Sequence, residues 1–161
     1  MKRMYKIENP KIGLLSNGSE STKGNALVKE THSLLLKEES LNFVGNIEGN
    51  VALSGMCDVL VCDGFAGNQV LKVSEGMAKR LITDIVKYAK RTGNDGIMDL
   101  VGHLMSVYDF GSLGGGVILG CDKPMIKTRG NSGERAILST AEMLLNLAEN
   151  KEIFDKEKNR I

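Results

Sequence analysis

The fold is decided by residues 57–72, whose sequence is CDVLVCDGFAGNQVLK. Residues 59–61, Val-Leu-Val, form an apolar run without polar alternation, which is typical of a parallel strand covered on both faces. Asp63 and Gly64 end the run, and an amphipathic helical pattern begins at Val70. We therefore predict a central buried strand, a tight turn and a long helix.

The turn between this strand and this helix is suited to an anion. The N-terminus of a helix presents unpaired amide N–H groups and the positive end of the helix dipole to its surroundings. Gly67 allows the backbone to turn sharply. Most strand-to-helix turns that contain glycine bind nothing, so an ordinary turn without a ligand stays open as the alternative.

Composition limits the classes of protein to which the chain can belong. Its 161 residues suffice for one domain with a hydrophobic core. A net charge of +1 and the absence of tryptophan argue against nucleic acid and anionic membrane surfaces as partners. No apolar segment reaches the ~20 residues of a membrane span, and the N-terminus lacks the apolar core of a signal peptide. We predict a cytoplasmic protein.

The three cysteines do not indicate a disulfide framework. Their number is odd, and Cys57 and Cys62 lie beside the predicted buried strand. His32 and His103 are the only histidines, and they stand at no spacing typical of metal ligands. The sequence therefore predicts neither a metal site nor a cofactor.

The pattern upstream of the central strand is strand, loop, helix and strand. A strand is predicted over residues 11–16 and a polar loop over residues 17–21, and Thr22 is predicted to cap the helix that follows. A second strand is predicted over residues 41–45. After the central strand, the long helix carries a wide apolar stripe over residues 70–89, which indicates packing on the sheet and on a second subunit.

The last third of the chain is less regular. Residues 94–110 carry a helical pattern that glycines weaken. Two short strands are predicted over residues 117–120 and 124–127. Asn131 or Ser132 is predicted to cap a final helix.

Strands that alternate with helices predict an α/β domain, a three-layer α/β/α sandwich with a mainly parallel sheet. We predict this domain over residues 11–150, between a connector over residues 1–10 and a charged tail over residues 151–161. Ligands of such sheets bind beyond the C-terminal ends of the strands. Three predicted loops leave such ends, at residues 17–23, 63–68 and 128–132.

Five motifs stand in a fixed order along the chain. They are NPKIGLLSNG at residues 9–18, KGN at 23–25, NFVGNIEG at 42–49, CDGFAGN at 62–68 with LK at 71–72, and YDF at 108–110 with GG at 114–115. In this register, over about residues 9–145, the chain resembles the C-terminal half of the phosphate acyltransferases of the PlsX type, and GNS at 130–132 fits the same pattern. Five motifs in register are far more specific than one glycine turn.

The resemblance implies an enzyme that moves an acyl group from a thioester to inorganic phosphate and so forms an acyl phosphate. It also implies a homodimer whose α/β/α sandwich is similar to phosphotransacetylases and isocitrate dehydrogenase. Members of the family are longer than this chain and open with a glycine-rich N-terminal motif that is missing here. The chain is therefore expected to be the C-terminal half of a longer acyltransferase.

Two branches of the family fit the sequence. Where the branch that makes phospholipid precursors usually has Gly-Val-Asn-Gly, this chain has a thiol in the segment 120–123, Gly-Cys-Asp-Lys. The chain looks similar to the alpha subunit of component C of glycine, sarcosine and betaine reductases, which holds an acetyl group on a cysteine before phosphate removes it. The resemblance favours that branch, with Cys121 as the thiol and another subunit of the reductase complex as partner. Acyl transfer from an acyl carrier protein, as in phospholipid synthesis, is the alternative.

Acyl transfer to phosphate requires a solvated dianion to be placed against a carbonyl carbon. We predict that Gly64, Gly67 and Asn68 cradle the phosphate, with Asn68 also donating to the developing oxyanion. Lys23 and Arg129 are predicted to supply positive charge.

Two further residues have two interpretations each. Asp63 is either an N-cap that accepts backbone N–H groups or a catalytic base. Cys121 is a nucleophile if a cation such as Lys123 or Arg129, or a helix N-terminus, favours its thiolate; otherwise it is a small apolar filler of a strand.

A function of a different class also fits the sequence. The chain could be an interaction module that dimerises or docks on a partner protein and lacks the half needed for turnover. The apolar stripe over residues 70–89 would serve an enzyme and a docking module equally well.

Overall fold

The computed structural model describes residues 5–94, 96–108, 114–130 and 132–149. The chain divides into two compact units, residues 1–74 and residues 75–161. The predicted charged tail and the Asp109–Phe110 part of the YDF motif lie outside the described residues. The predicted domain limits stay a prediction.

The first unit is built on a parallel sheet. Its three described strands are β1 (Lys11–Ser16), β2 (Asn42–Glu48) and β3 (Val59–Val61), in the order β2-β1-β3. Both neighbours of β1 run parallel to it. A parallel sheet combined with helices, one of which connects β1 to β2, confirms the predicted α/β fold class.

The central strand of this sheet is β1, so the prediction that residues 59–61 form the central strand was wrong. Ile12 pairs with Phe43 on one side and with Val59 on the other. Leu14 in β1 is buried, whereas the three residues of β3 are only half-buried. An apolar run indicates that both faces of a strand are covered, but it does not show how many strands pair with it.

Two helices follow the strands of the first unit. Helix α1 (Ala26–Lys37) packs against β1 and β2, and its N-cap is Asn25. The prediction that Thr22 caps this helix was therefore wrong. Helix α2 (Gly64–Thr92) directly follows β3, begins well before the amphipathic pattern at Val70, and continues into the second unit.

The second unit contains helix α3 (Ile97–Val107), helix α4 (Glu134–Glu149) and a short antiparallel pair, β4 (Gly116–Val117) with β5 (Ile126–Lys127). The two strands are shorter than predicted. Since they pair with each other, the loop over residues 128–132 follows a hairpin strand and not a strand of the described parallel sheet. Buried side chains of this unit are Ala89, Val101, Ala136, Thr140 and Leu147.

The predicted cap of the last helix is not formed by Ser132. Gly133 is the residue directly before α4, and the Ser132 hydroxyl has no hydrogen-bond partner in the described part of the chain. Asn131, the other candidate, lies outside the described residues. Within the described ranges, no helix is both long and apolar enough to cross a lipid bilayer.

Candidate functional site

A cavity of about 600 Å³ lies in the first unit at the C-terminal ends of β1 and β3. Its volume is in the range of small-molecule sites, which are mostly apolar with a few polar groups. Apolar residues of its wall include Leu14, Leu27, Val28, Val61, Ala66 and Val70. Polar residues of its wall are Ser16, Asn17, Asn25, Thr31, Cys62 and Asp63. The position agrees with the rule that ligands of open α/β sheets bind beyond the C-terminal strand ends.

The N-terminus of α1 forms one side of this cavity. Asn25 caps the helix, since its Oδ1 accepts a hydrogen bond from the Val28 amide at 2.9 Å. The Gly24 amide donates to Asn17 Oδ1 at 2.8 Å, which closes the loop between β1 and α1. Gly24 has φ +97°, a left-handed conformation that side chains rarely adopt. This loop is therefore fixed by its own asparagines and by one obligatory glycine.

A buried asparagine on β2 holds the same loop from the other side. Asn46 Nδ2 donates to the Glu20 carbonyl oxygen at 2.8 Å. Asn46 Oδ1 lies 3.0 Å from His32 Nδ1, and the His32 ring meets Phe43 edge to face. His32 therefore has a structural role, as a hydrogen-bonded residue packed against the sheet.

The N-terminus of α2 forms the opposite side of the cavity and is capped by Asp63. Asp63 Oδ1 accepts hydrogen bonds from the amides of Phe65 and Ala66, both at 2.8 Å. The Asp63 carbonyl oxygen accepts the Gly67 amide at 3.0 Å. Of the two interpretations of Asp63, the N-cap is confirmed. These amides of the first turn of α2 are thereby engaged by Asp63.

The four predicted phosphate ligands of the first unit lie next to the cavity wall and not in it. Lys23 precedes Gly24 in the chain, and Gly64 directly follows Asp63. Gly67 leaves room for the Cys62 thiol, since a β-carbon at residue 67 would lie 2.5 Å from that sulfur. Asn68 is exposed on α2. The role of these residues in phosphate binding stays a prediction.

The other two predicted site residues belong to the second unit. Cys121 is half-buried and follows Gly120, which has φ +81°. Arg129 Nη2 forms an ion pair of 2.5 Å with Glu75 Oε1, and the Glu75 side chain is largely buried. The guanidinium predicted as a phosphate ligand therefore already pairs with a carboxylate.

Cys62 lies in the cavity wall and carries a free thiol. Although Cys62 is exposed as a residue, partial burial of its thiol, together with the adjacent Asp63 carboxylate, raises the pKa of this thiol. A raised pKa keeps the sulfur protonated as the pH rises through the ordinary range of thiols. The wall thus carries a neutral thiol and not a second anion.

We expect iodoacetamide to alkylate Cys62 more slowly in the folded chain than in urea at pH 8.5, since only the thiolate reacts. The rate at Cys62 should continue to rise above the ordinary pKa of a thiol, and Asp63→Asn should lower the midpoint of that rise. Peptide mapping by mass spectrometry gives the rate at each cysteine. A midpoint of the rate at or below the ordinary pKa of a thiol would contradict the raised pKa of Cys62.

Several residues of the wall were not predicted as site residues, among them Ser16, Asn17, Gly24 and Asn25. The loop over residues 17–23 was predicted to leave a strand end, but no residue of β1 itself was singled out. The sequence signal for these residues was the polar pair Ser16-Asn17, which directly follows the apolar residues of β1. Such pairs also begin ordinary loops, so the signal is weak without coordinates.

Comparison with known proteins identifies the family. Residues 1–153 match the family described as fatty acid synthesis protein. A phosphate acyltransferase of Streptococcus pneumoniae is 39% identical over 155 residues, which cover 92% of this chain and 47% of the relative. A phosphate acyltransferase of Streptococcus agalactiae is 38% identical over 154 residues, with the same two coverages. The chain spans about half the length of these curated relatives, and it belongs to the fatty acid synthesis protein family, that of the PlsX-type phosphate acyltransferases.

Proposed function

We propose that the protein transfers an acyl group from a thioester to inorganic phosphate. A phosphate oxygen attacks the thioester carbonyl carbon, the carbon–sulfur bond breaks, and the sulfur leaves as a thiolate that takes up a proton. The products are an acyl phosphate and a free thiol. The thiolate leaves readily, so the task of the protein is to desolvate and aim the phosphate.

The main observation in support of this proposal is the cavity at the C-terminal ends of β1 and β3. It places two helix N-termini, which favour anions, beside an apolar wall that suits an acyl group. The family of the chain supports the same reaction, because the relatives of the chain are named phosphate acyltransferases. Since the chain covers about half of those relatives, the activity of the chain is itself the point to be tested.

The test is arsenolysis of acetyl phosphate and of longer acyl phosphates by the isolated 161-residue chain. The acyl phosphate first transfers its acyl group to a thiol acceptor and releases phosphate. Arsenate then takes the place of phosphate in the attack on the thioester, and the acyl arsenate hydrolyses to the free acid, so consumption of the acyl phosphate reports turnover. Turnover above that of a heat-denatured sample supports the proposed acyl transfer by this chain. A folded chain without turnover would overturn the proposal for this chain and favour the docking module.

The first candidate for the acyl donor is an acetyl thioester on the protein itself, as in component C of glycine reductase. Cys121 would hold the acetyl group, and a partner subunit of the reductase complex would supply it. The support is the position of Cys121 in a glycine-flanked segment with a lysine two residues on. The pairing of Arg129 with Glu75 reduces the positive charge available to a thiolate in the second unit.

The second candidate is the thioester of an acyl carrier protein, the donor in phospholipid synthesis. The size and apolar wall of the cavity favour it, because an acetyl group has too little apolar surface to need a cavity of about 600 Å³. A longer acyl chain would remove Leu27, Val28 and Val70 from water. In this case phosphate attacks the carrier thioester directly.

Replacement of Cys121 by serine separates the two donors. Because the cavity favours the carrier-borne donor, we expect Cys121→Ser to retain the rate of acyl transfer within about twofold, as substitutions outside a reacting centre do. The measurement is the steady-state rate with acyl carrier protein and with acetyl thioesters as donors. Loss of activity in a variant with unchanged unfolding would instead establish Cys121 as the carrier of the acyl group.

The remaining predictions concern the complete protein. We propose that it is a cytoplasmic homodimer with a three-layer α/β/α sandwich like those of phosphotransacetylases and isocitrate dehydrogenase. Helix α2 supports dimerisation, since Met77 and Leu81 are exposed along the part of it that belongs to the second unit. The same exposed face favours the second function, an inactive dimerisation or docking module, if arsenolysis fails.

A further inference from the structure

The last residue of β1 carries a buried hydroxyl without a partner. Ser16 is only 9% exposed, and its Oγ has no hydrogen-bond partner among the residues that the structure describes. Buried hydroxyls in folded proteins nearly always have a partner, and those without one require an explanation. A ligand that supplies the missing hydrogen bond is such an explanation.

The position of Ser16 connects this hydroxyl to the cavity. Ser16 and Gly24 both line the cavity, and Ser16 Oγ lies 3.3 Å from the point where a β-carbon on Gly24 would stand. Gly24 directly precedes Asn25, the N-cap of α1. The hydroxyl is therefore at the end of β1 that faces the start of α1.

The start of α1 is the more suitable of the two helix N-termini for an anion. The Asn25 cap engages the Val28 amide, while the amides of Ala26 and Leu27 have no acceptor within the described part of the chain. The first turn of α1 contains no acidic residue, and Lys23 precedes it by a few residues. At the start of α2, by contrast, the Asp63 carboxylate occupies the first-turn amides. An anion at α2 would meet a carboxylate, whereas an anion at α1 would meet neutral donors and the positive end of the helix dipole.

We propose that Ser16 Oγ, together with the amides of Ala26 and Leu27, binds the inorganic phosphate that accepts the acyl group. We call these three groups the β1 phosphate seat. The inference rests on the proposed acyl transfer for the identity of the anion, and it moves the anion from the turn before α2 to the turn before α1. In this seat the Ser16 hydroxyl donates to a phosphate oxygen.

The test is phosphate binding by the 161-residue chain and its Ser16→Ala variant, measured by calorimetry and by thermal unfolding. Chloride at equal ionic strength serves as the reference for general salt effects, which act on both chains alike. We expect the dissociation constant for phosphate to rise by about tenfold to hundredfold in the variant, the effect of losing a hydrogen bond to a charged group. Ser33→Ala removes an exposed hydroxyl from the outer face of α1 and is expected to leave phosphate binding unchanged.

The unfolding temperature without phosphate distinguishes a ligand-binding hydroxyl from a structural one. Removing a buried hydroxyl that lacks a partner should leave the unfolding temperature of the phosphate-free chain unchanged or higher. A lower unfolding temperature, equal phosphate affinity in the two chains, or no phosphate binding by the unsubstituted chain would each overturn the seat. Ser16-dependent binding of phosphate without arsenolysis would support the seat while the proposed acyl transfer fails.

Discussion

The Asp63→Asn variant is expected to keep its fold and to lose acyl transfer to phosphate by about a hundredfold or more. Asp63 caps α2, and we expect it also to act as a catalytic base; the substitution separates these two roles. Its Oδ1 accepts the amides of Phe65 and Ala66, and the amide oxygen of asparagine can accept the same two bonds. Stability should therefore change little, whereas the negative charge at the cavity wall is removed.

The chemical role of that charge follows from the protons on phosphate. Ser16 of the β1 phosphate seat and Asp63 line the same cavity. At neutral pH inorganic phosphate still carries a P–OH group, so a phosphate that binds to the seat through its unprotonated oxygens can donate this P–OH group to the second oxygen of the Asp63 carboxylate. That hydrogen bond would turn a bare phosphate oxygen towards the acyl carbonyl, and it would accept the proton as the phosphate oxygen bonds to carbon. An asparagine Nδ2 at the same place donates and cannot accept. The phosphate proton then lies between the phosphate and the Asp63 carboxylate. For as long as it does, the two negatively charged groups do not repel each other directly.

The measurements are arsenolysis rate and urea unfolding for Asp63→Asn, Asp63→Ala and Asp99→Asn. Asp99→Asn removes an acidic residue from the first turn of α3 and is expected to leave the rate unchanged. Asp63→Ala removes the cap and should also lower the free energy of unfolding by about 1 kcal/mol. If Asp63→Asn retained the rate within about twofold, Asp63 would be a cap alone.

The sequence predicted the type of the main strands and helices of the first unit because the strongest signals for them were local. The apolar run over residues 59–61 and the helical spacing after Val70 predicted a parallel strand followed by a helix, and the structure contains both. Pairing order was not predictable in this way. The central position of β1 depends on which strands meet across the sheet, and residue pattern within one strand does not contain that information.

The cap of α1 shows a second limit. Thr22 and Asn25 are both good N-cap residues within one polar loop, so propensity alone could not choose between them. The choice is made by contacts between distant segments. Asn46 on β2 holds the Glu20 carbonyl, and Asn17 holds the Gly24 amide, which together fix where the loop ends.

The site was the least predictable part of the molecule. Gly67 was predicted as a phosphate ligand, and its neighbour in the structure is the Cys62 sulfur, a packing reason that only coordinates show. Ser16 was not predicted, because a serine at a strand end is ordinary in sequence. Its missing hydrogen bond becomes visible only when the surrounding atoms are in place.

The Gly24→Ala variant is expected to lower the free energy of unfolding by about 2–4 kcal/mol. Two costs add at this position. A side chain at φ +97° is strained, and a β-carbon there would collide with the Val28 side chain of α1. Relief requires the first turn of α1 to move away from the end of β1, which also disturbs the loop closed by Asn17.

Gly49→Ala is the matched control, since Gly49 follows β2, has no left-handed φ, and a β-carbon there would meet open space. We expect Gly49→Ala to change the free energy of unfolding by no more than about 0.5 kcal/mol. Urea unfolding followed by circular dichroism compares the two variants with the unsubstituted chain. Equal stability of the two alanine variants would show that the loop before α1 relaxes without cost, and Gly24 would then be dispensable for holding α1 against the end of β1.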